Sequence, residues 1–159
     1  MEFKEAKNKF VQTWGALGSQ WGINKTMAQI HALLMVSHEA VSMEDIMEEL
    51  QISRGNASMN LRALMDWGLV HKELISGDRK DYFTAGKDIW KVALQIIRER
   101  RRRELEPVMS IISNMKGIEG SPGEKVKVEE FEKVIAELDT FTTKVDKMLE
   151  TLLKSDKNW

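Results

Sequence analysis

Residues 53–62, SRGNASMNLR, set short polar side chains beside arginines at helical spacing. At about 100° per residue, Gly55, Asn56, Met59 and Arg62 share one face, with Ser58 and Asn60 at its margins. Ala57, Leu61 and Leu64 recur at i, i+4 and i+7 on the other face and predict a buried stripe. A helix entering a DNA major groove needs such a division. Small residues allow close approach, and Asn and Arg can hydrogen-bond base edges. Ser53, with the free N–H groups of the first turn, suits a phosphate oxygen, and Arg54 lies beside it. The expected contacts are therefore Ser53, Arg54, Asn56, Ser58, Met59 and Arg62.

Elements that would position these residues are legible on either side. Ser42 followed by Asp45 resembles a capping box, and Ile46, Met47 and Leu50 form the apolar stripe of a short helix. Ser53 is the next N-cap, so the break falls at Gln51-Ile52. Gly68 supplies a left-handed C-terminal residue after Trp67, and Leu69 can fold back as its hydrophobic contact. Leu69 to Leu74 then reads as a strand, Ile75 to Asp78 as a turn, and Asp81 to Thr84 as the return strand. Arg79 and Lys80 lie at the tip, suited to the DNA backbone or a minor groove, with Asp78 placed to orient the Arg79 guanidinium. Helix-turn-helix plus basic hairpin predicts a winged helix, mainly α, with the recognition helix at 53–67 and the wing at 75–81.

The stretch SRGNASMNLRALMDWGLVHKELISGDRKDYF is similar to the recognition helix and wing of MarR-like regulators, particularly the GbsR-type branch with its RGN-S-NLR…WGLV…GDRK-YF pattern. The broader MarR pattern carries Asp-x-Arg in the wing, where this chain has Asp78-Arg79-Lys80. The resemblance implies a homodimeric, sequence-specific regulator of double-stranded DNA, here read as a repressor. It leaves room for an effector: some GbsR-type proteins are implicated in responding to choline or glycine betaine. Aromatic faces bind quaternary ammonium groups, so Trp14, Trp21 and Trp90 are candidates for an effector box. The competing reading is that these aromatics are core.

The 159 residues, 42% hydrophobic and 31% charged, suit one domain with an extension. With no cysteine there is no thiol nucleophile, disulfide or thiolate metal site. No apolar run of about 18 residues suggests a membrane span, and the N-terminus is unlike a signal peptide, so a cytoplasmic location is expected. A net charge of −1 argues against binding nucleic acid by bulk charge. From Ser53 to Lys80, however, five bases face three acids, a local +2 that a dimer would double. His31, His38 and His71 have no partners at metal-ligand spacing and are expected at solvent edges or hydrogen-bonded. No phosphate loop, nucleophile elbow or carboxylate pair is present; neither an enzyme nor a cofactor is expected.

Residues 1–22 read as an amphipathic dimerisation helix with Phe3, Phe10, Trp14, Leu17 and Trp21 in one stripe. Residues 23–85 form the winged helix, its first helix running through Met27, Ile30, Leu33 and Leu34, with Ser37 to Val41 leading into a short strand. Residues 86–159 form C-terminal dimerisation helices. Ile89, Trp90, Ala93, Ile96 and Ile97 predict the buried face of the first, and Pro107 a kink or fresh start near Glu104 to Glu106. Arg100 to Arg103 point around the helix, suiting ion pairs between subunits or phosphate contact. After the linker GIEGSPG, Val128, Phe131, Ile135, Leu138, Thr142, Val145, Leu149 and Leu152 make a heptad-like seam. Val134, Phe141 and Met148 widen it, so a helical partner is required. Two recognition helices in such a dimer would sit about 34 Å apart, or a multiple of that. The alternative is a protein-interaction module working through these helices without DNA.

Overall fold

Local capping rules account for most element boundaries. In a computed structural model, which describes residues 1–155, the order is α1 (Phe3–Gln20), α2 (Lys25–Val36), β1 (Val41–Ser42), α3 (Met43–Leu50), α4 (Arg54–Asp66), β2 (Val70–Glu73), β3 (Tyr82–Ala85) and α5 (Ile89–Arg100). A π-helical turn (Arg101–Leu105), α6 (Glu106–Asn114) and α7 (Lys125–Lys154) follow. Residues 156–159 of the expected C-terminal extension lie outside the described residues. Two compact units divide the chain between Gln95 and Ile96, within α5.

In the first unit, Asn24 caps α2 by accepting from Met27 N, and Ser42 caps α3 by accepting from Asp45 N. A three-stranded antiparallel sheet runs in the order β1–β3–β2, pairing Val41 with Phe83 and Lys72 with Phe83 from the other side. The core gathers Ile30, Leu33 and Leu34 from α2, Ile46 from α3, Ala57, Leu61 and Leu64 from α4, and Val70 and Phe83 from the hairpin. This is a winged helix: the apolar stripe of α4 is buried and its polar face left outward.

α1 packs differently from the expectation its aromatics suggest. Its buried residues are Val11, Gly15 and Gly18. A Cβ added at Gly15 would lie 2.5 Å from Gln29 Cγ, and one at Gly18 2.6 Å from Ala28 Cβ. The two helices meet through the absence of side chains, which leaves Phe3, Leu17 and Trp21 exposed.

The expected buried face of α5 also needs correction. Val92 and Leu94 are buried, while Ile89 and Trp90 are largely exposed. Asp88 starts the helix by accepting from Lys91 N. Gln95 then donates from Nε2 to the carbonyl of Trp67, 2.8 Å away, at the end of α4. That polar anchor lies about 60° from Val92 around the helix, while Leu94 is buried about 200° from Val92. Lys87, just before α5, donates from Nζ to the carbonyls of Leu34, Met35 and Ser37, where α2 ends and cations are favoured. Desolvation there lowers its pKa.

In the second unit, the ladder changes phase before Pro107, which sits in the first turn of α6 and needs no N–H donor there. α7 buries Ile135 and Thr142, while Val134, Phe141 and Met148 remain exposed. Arg101 grips Asp146 of α7 through two bonds of 2.6 and 3.1 Å, Nε to Oδ1 and Nη2 to Oδ2. Arg102 and Arg103 both pair with Glu99, and Arg100 with Glu104. The arginine block thus engages carboxylates of its own chain.

Candidate nucleic-acid interface

The turn that presents α4 is made by Gln51, whose φ of +54° places a non-glycine residue in the left-handed region. Its N–H and that of Ile52 return to the carbonyls of Glu48 and Met47, closing α3. Ser53 then caps α4, its Oγ accepting from Asn56 N at 3.2 Å. At the far end Gly68 has φ +71°; its N–H bonds Met65 O and that of Leu69 bonds Leu64 O. This is the Schellman end that Gly68 and Leu69 predict, and it fixes the length of the helix.

Between these caps Gly55, Met59 and Arg62 are exposed, Met59 at 60%, and Asn56 and Ser58 are half-buried. Asn60 differs from its expected marginal position. It is 3% exposed, and its Nδ2 donates both to Asn56 O at 2.9 Å and to Asn56 Oδ1 at 2.7 Å. At roughly 60° from Ala57 around the helix, Asn60 flanks the core stripe, and its i, i+4 spacing sets it against Asn56. The helical arithmetic carried this signal; residue polarity concealed it.

The cations of α4 and the wing are of two kinds. Arg54 is engaged: its Nη2 lies 2.8 Å from Glu44 Oε1 in the first turn of α3. The Arg54 hydrogen bond holds the Glu44 carboxyl below its usual range, and the charge of Lys80 adds a smaller pull. Arg62, Arg79 and Lys80, by contrast, have no carboxylate at ion-pair distance among the described residues.

In the wing, Gly77 takes φ +82° and Asp78 N bonds Ile75 O at 3.1 Å, closing the expected turn. Asp78 does not orient Arg79. Its Oδ1 accepts from Lys80 N at 2.9 Å and its Oδ2 from the Tyr82 hydroxyl at 2.6 Å. Those two bonds, Tyr82 first, lower the Asp78 pKa, and the same contact raises that of Tyr82. The carboxylate is spent on the Lys80 N–H and the Tyr82 hydroxyl, and Arg79 and Lys80 are exposed. Lys72 and Asp81 bridge the strand ends at 2.9 Å.

Trp14 is half-buried with its ring 5.6 Å from that of Phe10. Trp21 and Trp90 are 67% and 50% exposed. None of the three lines the concavity of about 580 Å³ bordered by Phe3, Lys7, Val36, His38, Val41 and Glu49. His38 and His71 are exposed, but His31 departs from the expected hydrogen-bonded role. It is 3% exposed, its Nε2 has no partner among the described residues, and burial lowers its pKa to about 4. No cluster of three His, Cys, Asp or Glu among the described residues could hold a metal, and none of the described helices is long and apolar enough to cross a membrane.

Residues 21–81 match the MarR family model. The chain is 23% identical over 103 residues to the HTH-type transcriptional repressor GbsR of Bacillus subtilis (strain 168), covering 65% of this chain and 57% of that protein. A solved transcriptional regulator matches with a TM-score of 0.58 and 17% identity, over 92% of this chain and 99% of the other. Staphylococcus aureus MepR in its DNA-binding conformation matches with a TM-score of 0.43 and 17% identity, over 86% and 95%. Over the matched residues the winged helix is MarR-like, and the curated relative it resembles is a GbsR.

Proposed function

We propose that this MarR-like chain is a sequence-specific regulator of transcription that binds double-stranded DNA as a homodimer, and that it acts as a repressor in the cytoplasm. The observation that carries the reading is exposure without neutralisation: Met59 and Arg62 are exposed on α4, Arg79 and Lys80 on the hairpin, and the three cations lack carboxylate partners among the described residues. Asn56, Ser58, Met59 and Arg62 would meet base edges. Ser53, Arg79 and Lys80 would meet phosphates or the minor groove, joined by Arg54 once it leaves Glu44. Repression is the role named for the Bacillus relative.

Homodimerisation is supported by apolar surface that each unit leaves open: Phe3 and Trp21 on α1, and Val134, Phe141 and Met148 on α7. Residues 1–22 and 86–159 would supply the paired helices and residues 23–85 the DNA-binding domain. A small-molecule effector such as choline or glycine betaine, taken up by Trp14, Trp21 or Trp90, is part of the proposal and would alter tryptophan fluorescence.

The deciding experiment is fluorescence anisotropy with mixed duplex DNA from roughly 50 to 200 mM salt. Wild type should show a log–log slope of several units, at about 0.9 per phosphate neutralised. Arg62→Ala should weaken binding to the preferred sequence by about 1–3 kcal/mol and relax base preference. Flat, weak binding by wild type would leave the terminal helices as a protein-interaction module.

A further inference from the structure

The hydrogen-bond polarity of the Asn56–Asn60 pair is set by the backbone. Asn60 approaches the carbonyl oxygen of Asn56 at 2.9 Å, and only an amide NH2 can sit there, since two carbonyl oxygens repel. That atom is therefore Nδ2. The same nitrogen lies 2.7 Å from the Asn56 side chain, so the Asn56 atom facing it must be the acceptor Oδ1. Both hydrogens of the Asn60 amide are spent on Asn56, and Asn60 itself is buried. Asn56 cannot turn its amide over without breaking the shorter of these bonds. Its oxygen is held against the helix wall, and its NH2 is the free end.

That orientation bears on base reading. A free asparagine pairs with adenine by using both ends, donating to N7 and accepting from N6. Guanine offers acceptors at both places, N7 and O6. An amide held NH2-outward meets guanine without an unpaired group, whereas adenine would present its N6 hydrogen to a donor. Resting on the DNA-binding reading above, we propose that Asn60 is a positioning residue that fixes Asn56 donor-outward, making α4 prefer guanine over adenine at the base facing Asn56.

The test begins with selection of bound duplexes from a random-sequence pool by wild type, followed by anisotropy on the best duplex and its single-base variants. The position that loses preference in Asn56→Ala is the one Asn56 reads. Wild type should prefer guanine there, and Asn60→Leu, close in size and without a donor, should bring the guanine-to-adenine ratio down several-fold toward one. Preferences elsewhere and the salt slope should not move, a pattern that a general loss of structure would not produce. Asn60→Ala is the second variant, and a melting curve of each shows that it folds. Adenine preferred by wild type at that position overturns the inference, as do a ratio unchanged in Asn60→Leu and a loss spread over all positions. An Asn56→Ala protein with unaltered preferences overturns it too. Wild type without salt-dependent or sequence-selective binding would bring down the DNA reading itself, and this inference with it.

Discussion

Lowering the pH from 7 towards 4.5 should destabilise the first unit through one side chain, His31. Its imidazole is 3% exposed, with Nε2 unpartnered among the described residues, and burial lowers its pKa from 6.5 to about 4. The neutral ring is therefore the folded form, and the unfolded chain binds the extra proton throughout that interval. Stability from this group is fully present above pH 6.5 and falls as the pH drops toward 4. At about 1.4 kcal/mol per pH unit, the loss reaches roughly 3 kcal/mol by the lower limit, a large part of a typical domain's stability. Glu44 and Asp78 have lowered values, so what they contribute is lost only as the pH falls below their ordinary 4.5 and 3.8. Four of the five tryptophans (Trp14, Trp21, Trp67 and Trp90) lie in the same unit as His31, so urea unfolding followed by tryptophan fluorescence reports on it. Protein concentration must be held constant, since self-association adds to apparent stability. His31→Leu should flatten the profile between pH 6.5 and 4.5 and lose nothing at pH 7.5, because it also removes an unpaired buried nitrogen. Parallel profiles for the two proteins would refute the assignment.

Two further perturbations rest on distances. Glu44→Gln should release Arg54 for phosphate, raising affinity for mixed duplex at low salt and steepening the log–log salt slope by about 0.9; an unchanged slope would mean Arg54 stays away from DNA. Gly18→Leu should cost about 1–3 kcal/mol in urea unfolding, since even its Cβ would fall 2.6 Å from Ala28 Cβ, whereas Gly123→Ala, with nothing within 4 Å, should be nearly silent.

Signals that depend on a few adjacent residues were legible in the sequence. Ser42, Ser53, Gly68 and Gly77 each mark a cap or turn whose chemistry is local, and each sits in that role. What escaped depends on partners distant in sequence. Lys87 reaches the end of α2 across fifty residues, and nothing in its neighbours announces it. α1 buries its glycines because Gln29 and Ala28 come close, and a count of large apolar residues points to a stripe about 90° away. In α5 the distant partner is Trp67, which Gln95 reaches, while Ile89 and Trp90 stay exposed. At the candidate interface the exposed face of α4 followed from the 3.6-residue period. The commitment of Arg54 to Glu44, of Asp78 to Tyr82, and of Asn60 to Asn56 depends on side-chain geometry that the period does not specify.

The π turn at Arg101–Leu105 has a consequence for what insertions and deletions the chain can absorb. Such a turn closes its hydrogen bonds one residue further along than an α-helix does, so it stores one surplus residue in an otherwise continuous rod. Removing any one residue of the five would let the backbone relax to regular α geometry at little local cost. Because the surplus residue is absorbed within the turn, the helix faces on either side would stay nearly in phase, whereas the same deletion in a regular α-helix would rotate them by about 100°. The segment should therefore tolerate the loss of one residue more readily than the regular helix on either side of it.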